Sequence, residues 1–238
     1  MSNPLSDVER LAIHTSDGLG LRAELLDVGA TADDPSGRGR PRAVAVVCHP
    51  HPLHGGNMYN HVVSGLFSTL ATLGVPTIRF NFRGTSGSEG RHGGGRDERL
   101  DVIAAIETVT SRYERADRAA AAQQAAAGPV PVLLAGYSFG ARVALSVDHP
   151  GISGWFAVAP PLAIGDTAPP PAARDPRPTV IVTGTADDFT AAADVERLTR
   201  DWEATTVIPL PGEDHFLASA SARLSAEAEA VVDALSDY

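Results

Sequence analysis

The sequence predicts an α/β fold, with a mostly parallel central sheet covered by helices on both faces. Three observations carry that reading. Short apolar, β-branched runs recur along the chain, helical segments separate them, and only the first two runs lie close enough to pair as a hairpin.

In chain order, Leu11-Ala12-Ile13 and Leu21-Arg22-Ala23-Glu24-Leu25-Leu26 flank the turn signal Ser16-Asp17-Gly18, which marks the hairpin. A polar loop rich in Gly, Pro and Arg over 33–41 precedes an apolar strand at 43–48. A helix near 58–73, a strand at 75–82 and a helix from about 97 follow. The alanine-rich stretch 116–127 has strong helix propensity and no apolar face of any size, so it reads as a solvated extension of that helix. Next come a strand at 130–136 with a helix behind it and a strand near 153–159. Two strand-helix pairs, built on Thr179-Val180-Ile181-Val182-Thr183 and Thr205-Thr206-Val207-Ile208-Pro209-Leu210, complete the chain. A chain of 238 residues of this class is expected to form one domain over 1–238, with 1–7 a flexible N-terminus.

The net charge of −10 argues against nucleic acid, because no basic stripe exists to displace phosphate counterions. No signal-peptide pattern opens the sequence and no apolar run has membrane-spanning length, so a cytoplasmic location without membrane partners is expected. A single cysteine, Cys48, excludes an internal disulfide and sits inside a strand.

The chemistry concentrates at Gly136-Tyr137-Ser138-Phe139-Gly140, directly after the run Pro131-Val132-Leu133-Leu134-Ala135. A serine flanked by glycines between a buried strand and a helix sits on a strained turn that exposes Oγ, which makes Ser138 the candidate nucleophile. A serine hydroxyl needs a base, and the base needs an orienting group. In such an arrangement the partners follow in the order acid, then histidine, each on a loop after a later strand. Asp187 lies in Gly184-Thr185-Ala186-Asp187-Asp188, just past one strand, and His215 lies in Pro211-Gly212-Glu213-Asp214-His215-Phe216, past the next. Asp188 is an equally acidic neighbour, but motif position favours Asp187. His149, in a His-Pro-Gly turn at the end of the elbow helix, points away from the site.

An oxyanion hole requires two N–H donors. One is assigned to Phe139, after the nucleophile. The other falls in His49-Pro50-His51-Pro52-Leu53-His54-Gly55-Gly56, where the prolines have no N–H to give and His51, Leu53 or a later residue remains; His51 is preferred. The three histidines of this loop also raise a metal reading, but no Asp or Cys ligand stands close by, and a rigid loop shaping the oxyanion region explains it better. Neither metal nor cofactor is expected.

These residues together resemble the α/β-hydrolase superfamily, and within it small, essentially lidless, dienelactone-hydrolase-like hydrolases. The shared features are the H-P-H-P-L-x-G-G loop at 49–56, the R-F-N-F-R-G strand end at 79–84, the Gly-rich turn leading to acidic residues at 93–101, the elbow, the acid loop and the G-x-D-H-F base loop. The resemblance covers about 8–236 and implies an α/β-hydrolase fold, with Ser138 as nucleophile, His215 as base, Asp187 as its orienter and Phe139 in the oxyanion hole.

Between 160 and 178, where many relatives carry a helical cap, proline is too dense for a helical lid, so no substantial cap and an open, shallow site are expected. Leu53, Met58, Leu162, Phe189 and Phe216, with Phe139, are the side chains expected near the pocket. Arg83 and Glu89, in a Gly/Ser loop, read as structural rather than pocket-lining. The resulting expectation is a serine hydrolase of the carboxylesterase type acting on short acyl or aryl esters as its small-molecule partners. The same trio also serves thioesters, lactones or amides, and a non-catalytic binding protein on this fold is the reading from another class.

Overall fold

The computed structural model of the chain describes residues 8–27, 41–120, 129–164 and 168–236. Residues 1–7, the polar loop over 33–40 and the alanine-rich run beyond Ala120 lie outside them.

The first two strands, β1 (Val8–His14) and β2 (Gly20–Leu26), form the expected antiparallel hairpin. There follow β3 (Val44–Cys48), α1 (His61–Thr72), β4 (Thr77–Phe80), α2 (Glu98–Ala120), β5 (Val132–Tyr137), α3 (Phe139–Leu145), β6 (Ile152–Val158), β7 (Thr179–Gly184), α4 (Ala192–Leu198), β8 (Thr205–Leu210) and α5 (Ser221–Ser236). They build one eight-stranded sheet in the order β1-β2-β4-β3-β5-β6-β7-β8. The pairs β1–β2 and β2–β4 are antiparallel, and every other pair is parallel.

The strands are apolar on both sides because both faces are covered. Val44, Val46, Val132 and Leu134 point into one core with Val102, Ile106 and Val109 of α2 and Val143 of α3. Their neighbours Ala45, Val47, Leu133 and Ala135 point into the other, with Val62, Leu66 and Leu70 of α1 and Leu224, Ala228 and Val232 of α5. The strict two-residue alternation follows from the pleat.

Helix α1 begins later than residue 58, where the periodicity placed it. The Asn60 side chain accepts the Val62 N–H at 3.0 Å and so caps the helix, while Asn57 and Met58 belong to the preceding turn. Strand β4 is shorter than 75–82, and its pairing stops at Phe80. Beyond it, the Asn81 carbonyl accepts the Ser88 hydroxyl, and its side-chain oxygen accepts the Met58 N–H. No cap domain is present among the described residues: the segment after β6 holds a single 3-10 turn at Pro171–Arg174. No helix is long and apolar enough to cross a membrane among the described residues.

The chain steps from β3 to β4 on one side, then returns to β5 on the other. The crevice beyond the carboxyl ends of β3 and β5 is therefore the switch point at which open α/β sheets bind ligands. Cys48, the last residue of β3, pairs with Gly136, so the loops that follow the two strands start side by side.

Candidate active site

Ser138 occupies the turn between β5 and α3 with φ 54° and ψ −119°, a region a side chain rarely adopts. Its backbone N–H donates to the Val158 carbonyl of the next strand at 2.8 Å, which pins the turn. The flanking glycines are required by contact. A Cβ at Gly136 would stand 2.6 Å from the Gly140 carbonyl carbon, and one at Gly140 would stand 2.4 Å from the Cys48 carbonyl oxygen. Only bare backbone lets β3, β5 and α3 converge so closely.

The loops after β7 and β8 are laced together. The Ala186 N–H donates to the Glu213 carbonyl and the Thr185 N–H to the Leu210 carbonyl, each at 3.0 Å. This brings Asp187 to His215. Ser138 Oγ lies 2.9 Å from His215 Nε2, and His215 Nδ1 lies 2.8 Å from Asp187 Oδ2. The second carboxylate oxygen accepts the Phe189 and Thr190 amides at 2.8 and 3.1 Å. Burial raises the Asp187 pKa, but the hydrogen bonds from His215, the Thr190 amide and the Phe189 amide outweigh it and hold the carboxyl below its ordinary value. An ionised Asp187 puts the His215 proton on Nδ1 and leaves Nε2 to accept the serine hydroxyl. Asp188, by contrast, is exposed.

Phe139 is the first residue of α3, so its N–H has no carbonyl of its own helix to reach. The loop after β3 lies against it, with the His51 ring 4.9 Å from the Phe139 ring. Within that loop the Leu53 N–H donates to His51 Nδ1, the His54 and Gly56 N–H groups to the His51 carbonyl, and the Gly55 N–H to the Pro52 carbonyl. Pro50 and Pro52 have no N–H. Among residues 50–56 this leaves the His51 N–H as the amide not engaged inside the loop. Burial, then the nearby His54 and His92, lowers the His51 pKa. His49 has a different task. It is fully buried, its Nε2 accepts the Phe82 N–H at 3.0 Å, and its Nδ1 lies 2.6 Å from the Pro50 carbonyl. Both nitrogens are engaged within the protein, so the ring stitches the loop to the strand end beyond β4 and has none left for a metal.

Of the side chains expected around the pocket, Phe189 and Phe216 flank His215, with ring centroids 4.4 and 6.1 Å away and exposures of 45% and 63%. Leu53 stands 70% exposed on the loop after β3. Leu162 and Phe139 line a groove of about 340 Å³ between α3 and the Pro169–Pro171 segment. Met58 does not join them. Its N–H is held by Asn81, and its buried side chain lines a separate recess of about 770 Å³ along the β1–β2 hairpin, with Arg10, His14 and Arg22. That recess is the larger cavity; neither it nor the groove is lined by Ser138, Asp187 or His215, and of the two only the groove reaches Phe139, the residue after the candidate nucleophile.

Tyr137, which nothing in the sequence singled out, contacts the loop of His215. Its hydroxyl donates to the His215 carbonyl at 2.8 Å, while a His61 ring nitrogen lies 2.9 Å from the Phe216 carbonyl, so two side chains brace the base loop. The variable position of the elbow motif conceals the first, and nothing local signals the second. Arg83 is held in ion pairs, whereas Glu89, expected not to line a pocket, borders the recess along the hairpin. Arg83 is buried against Asp101 and Asp17, and Glu89 accepts the Gly20 N–H at 2.7 Å.

Residues 43–237 match the model of the alpha/beta hydrolase domain family. The chain belongs to that family. Among solved structures, an alpha-beta serine hydrolase homologue from Coxiella burnetii is 27% identical, with a TM-score of 0.76 over 97% of this chain and 98% of its own. A lidless alpha/beta serine hydrolase from Xanthomonas campestris shares the fold at 24% identity, with a TM-score of 0.76 over 96% of this chain and 95% of its own. A Rickettsia prowazekii protein described as uncharacterized is 34% identical over 158 residues, which amount to 65% of this chain and 61% of that relative's length. Within that family, the described residues of this chain build an eight-stranded α/β core with no cap domain among them.

Proposed function

We propose that the chain is a serine esterase that cleaves short acyl or aryl carboxylic esters through an acyl-Ser138 intermediate. The observation that carries this reading is the continuous relay from Ser138 Oγ through His215 to Asp187, with contacts of 2.9 and 2.8 Å.

In the reaction, His215 Nε2 takes the Ser138 proton as Oγ attacks the ester carbonyl carbon. Asp187, held ionised, stabilises the imidazolium that forms. The carbonyl oxygen gains negative charge and is met by the Phe139 N–H at the start of α3 and the His51 N–H across the crevice. Collapse of the tetrahedral intermediate expels the alcohol, which takes its proton from His215. Water, activated by the same imidazole, then releases the acid and restores the serine. The absence of a cap among the described residues leaves little enclosed apolar surface, so short acyl groups are favoured over long ones.

The test is a panel of p-nitrophenyl esters from acetate to palmitate, run on the wild type and Ser138→Ala. Serine-dependent hydrolysis that falls steeply with chain length is the expected result. A folded wild type that cleaves none of the esters, or a Ser138→Ala variant with undiminished activity, would overturn the reading.

A further inference from the structure

The groove beside Phe139 has a charge unlike the rest of the molecule. It runs from Phe139 past Val143 and Leu162 to Trp202, walled by apolar side chains, and is bordered by Arg96, Arg99 and Arg142. Among the described residues lining it there is no Asp or Glu. The chain as a whole carries 29 acidic against 19 basic residues, so arginines with no described carboxylate among the lining residues set this groove apart from the average surface. Arg142 already donates to the Ile164 carbonyl, which leaves Arg96 and Arg99 as the cations that face the groove mouth.

Arg96 and Arg99 stand exposed at the start of α2, where the Arg99 Nε–H donates to the Arg96 carbonyl at 2.9 Å and holds the two together. The turn that carries them is fixed in turn. Glu98, fully buried, accepts the Gly93 and Gly95 amides at 2.7 Å each, and a Cβ placed at Gly95 would stand 3.5 Å from the Phe139 ring. The backbone turn that carries the two arginines thus lies against the same corner as Phe139. No described carboxylate forms an ion pair with either.

We infer that the groove selects anionic esters, those in which an apolar arm leads from the scissile carbonyl to a carboxylate that Arg96 and Arg99 receive. An apolar arm suits the Phe139, Leu162 and Trp202 walls, and a planar carboxylate suits the guanidinium fork. The catalytic consequence rests on the ester-hydrolase reading above; the binding consequence does not.

Two measurements separate them. The first compares kcat/KM for the p-nitrophenyl half-ester of suberic acid with that for p-nitrophenyl octanoate, and for acetoxybenzoate with acetoxybenzamide, so that the charge is placed on the acyl or on the alcohol side. Wild type and the Arg96→Gln/Arg99→Gln double variant are run at low and at high salt. The anionic member of at least one pair is expected to be preferred roughly tenfold at low salt, with the preference shrinking at high salt and collapsing to within about twofold in the double variant. The second is calorimetric binding of phenylbutyrate against its neutral amide, which involves no chemistry. The acid is expected to bind more tightly, in an arginine-dependent way.

If phenylbutyrate binds as expected but no ester turns over, the groove assignment stands and the esterase reading falls. If esters turn over with no charge preference in either pair, or with one that the double variant retains, the groove assignment falls and the esterase reading stands. Indifference of phenylbutyrate binding to the two arginines would likewise overturn it.

Discussion

Two buried polar constellations stand on opposite halves of the sheet, and they are built to opposite ends. Beyond β4, Arg83 donates to Asp101 through Nε and a terminal nitrogen at 2.9 and 2.7 Å and to Asp17 at 2.9 Å, with Asp101 fully buried. Burial works against the Arg83 charge, but its hydrogen bonds to Asp101 and Asp17 outweigh it, so the guanidinium is held protonated. Beyond β5, β7 and β8, the Ser138–His215–Asp187 relay has the same reach and similar burial, yet its central member is an imidazole and its outer member is a half-buried hydroxyl. Burial and good geometry are common to both. What sets the second apart is an imidazole at its centre and a half-buried hydroxyl at its end, the pairing on which the proposed chemistry rests.

The comparison breaks most sharply through paired substitutions. Ser138→Ala should lower kcat by roughly 10⁴-fold or more, with unfolding free energy changed by no more than about 0.5 kcal/mol, as checked by steady-state kinetics and urea melts on one preparation. Asp187→Asn should cost roughly 10³- to 10⁴-fold while Asp188→Asn costs nothing, because only the first touches His215. Equal losses from the two would place the orienting acid on the wrong neighbour. Arg83→Met should do the reverse of Ser138→Ala. It leaves Asp101 buried without its partner and is expected to cost about 3–5 kcal/mol of stability, with the folded fraction still turning over ester. Adding Asp101→Leu should return most of that loss, because a buried ion pair replaced as a unit leaves no orphan charge.

A next, smaller effect sharpens the contrast through pH. His49 is fully buried, and burial, against the opposing effect of the Pro50 carbonyl, pushes its pKa from 6.5 down to about 4. The unfolded chain therefore takes up a proton as pH falls below 6.5 while the folded chain does not, so stability is lost as pH drops through the window from 6.5 to about 4. The integrated loss is about 3 kcal/mol. Denaturant melts across that window should show it in the wild type and show a flatter profile in His49→Gln. A wild-type profile as flat as the variant's would mean that the imidazole is not held neutral by the loop.

The strands and the relay were legible in the sequence for the same reason: each is encoded by residues close together in the chain. Apolar β-branched runs announce parallel strands, and the elbow, acid and base each sit immediately after one. The Asn60 cap was local too, but periodicity alone overran it at Met58. Pairings such as Arg79 with Glu24 or Arg83 with Asp101 span 55 and 18 positions and depend on strand order, which no local pattern carries. Met58, expected near the pocket, has its N–H on the Asn81 side chain and lines the recess on the hairpin side, a placement set by a contact 23 positions away. Nothing local to Arg96 and Arg99 marks them, and only the folded chain sets α3 and the Pro169–Pro171 segment along the same groove.

Tyr137 lies between the two constellations in kind, because it is buried and structural but braces the chemical one. Burial lifts its phenol to about 12, so at working pH it remains a donor to the His215 carbonyl, and its ring stacks 5.7 Å from the imidazole. Tyr137→Phe keeps the ring and deletes the hydroxyl. The buried carbonyl of the base loop then lacks that donor, at a cost of about 1 kcal/mol in stability. If the bond serves only folding, kinetics will not change. If it fixes the height of the imidazole above Ser138, kcat should fall several-fold with KM held, because substrate binding does not use the loop carbonyl while proton transfer depends on the 2.9 Å contact. A fall in kcat of the same size in His61→Ala, which removes the neighbouring brace on the Phe216 carbonyl, would locate the effect in the loop rather than in the tyrosine ring.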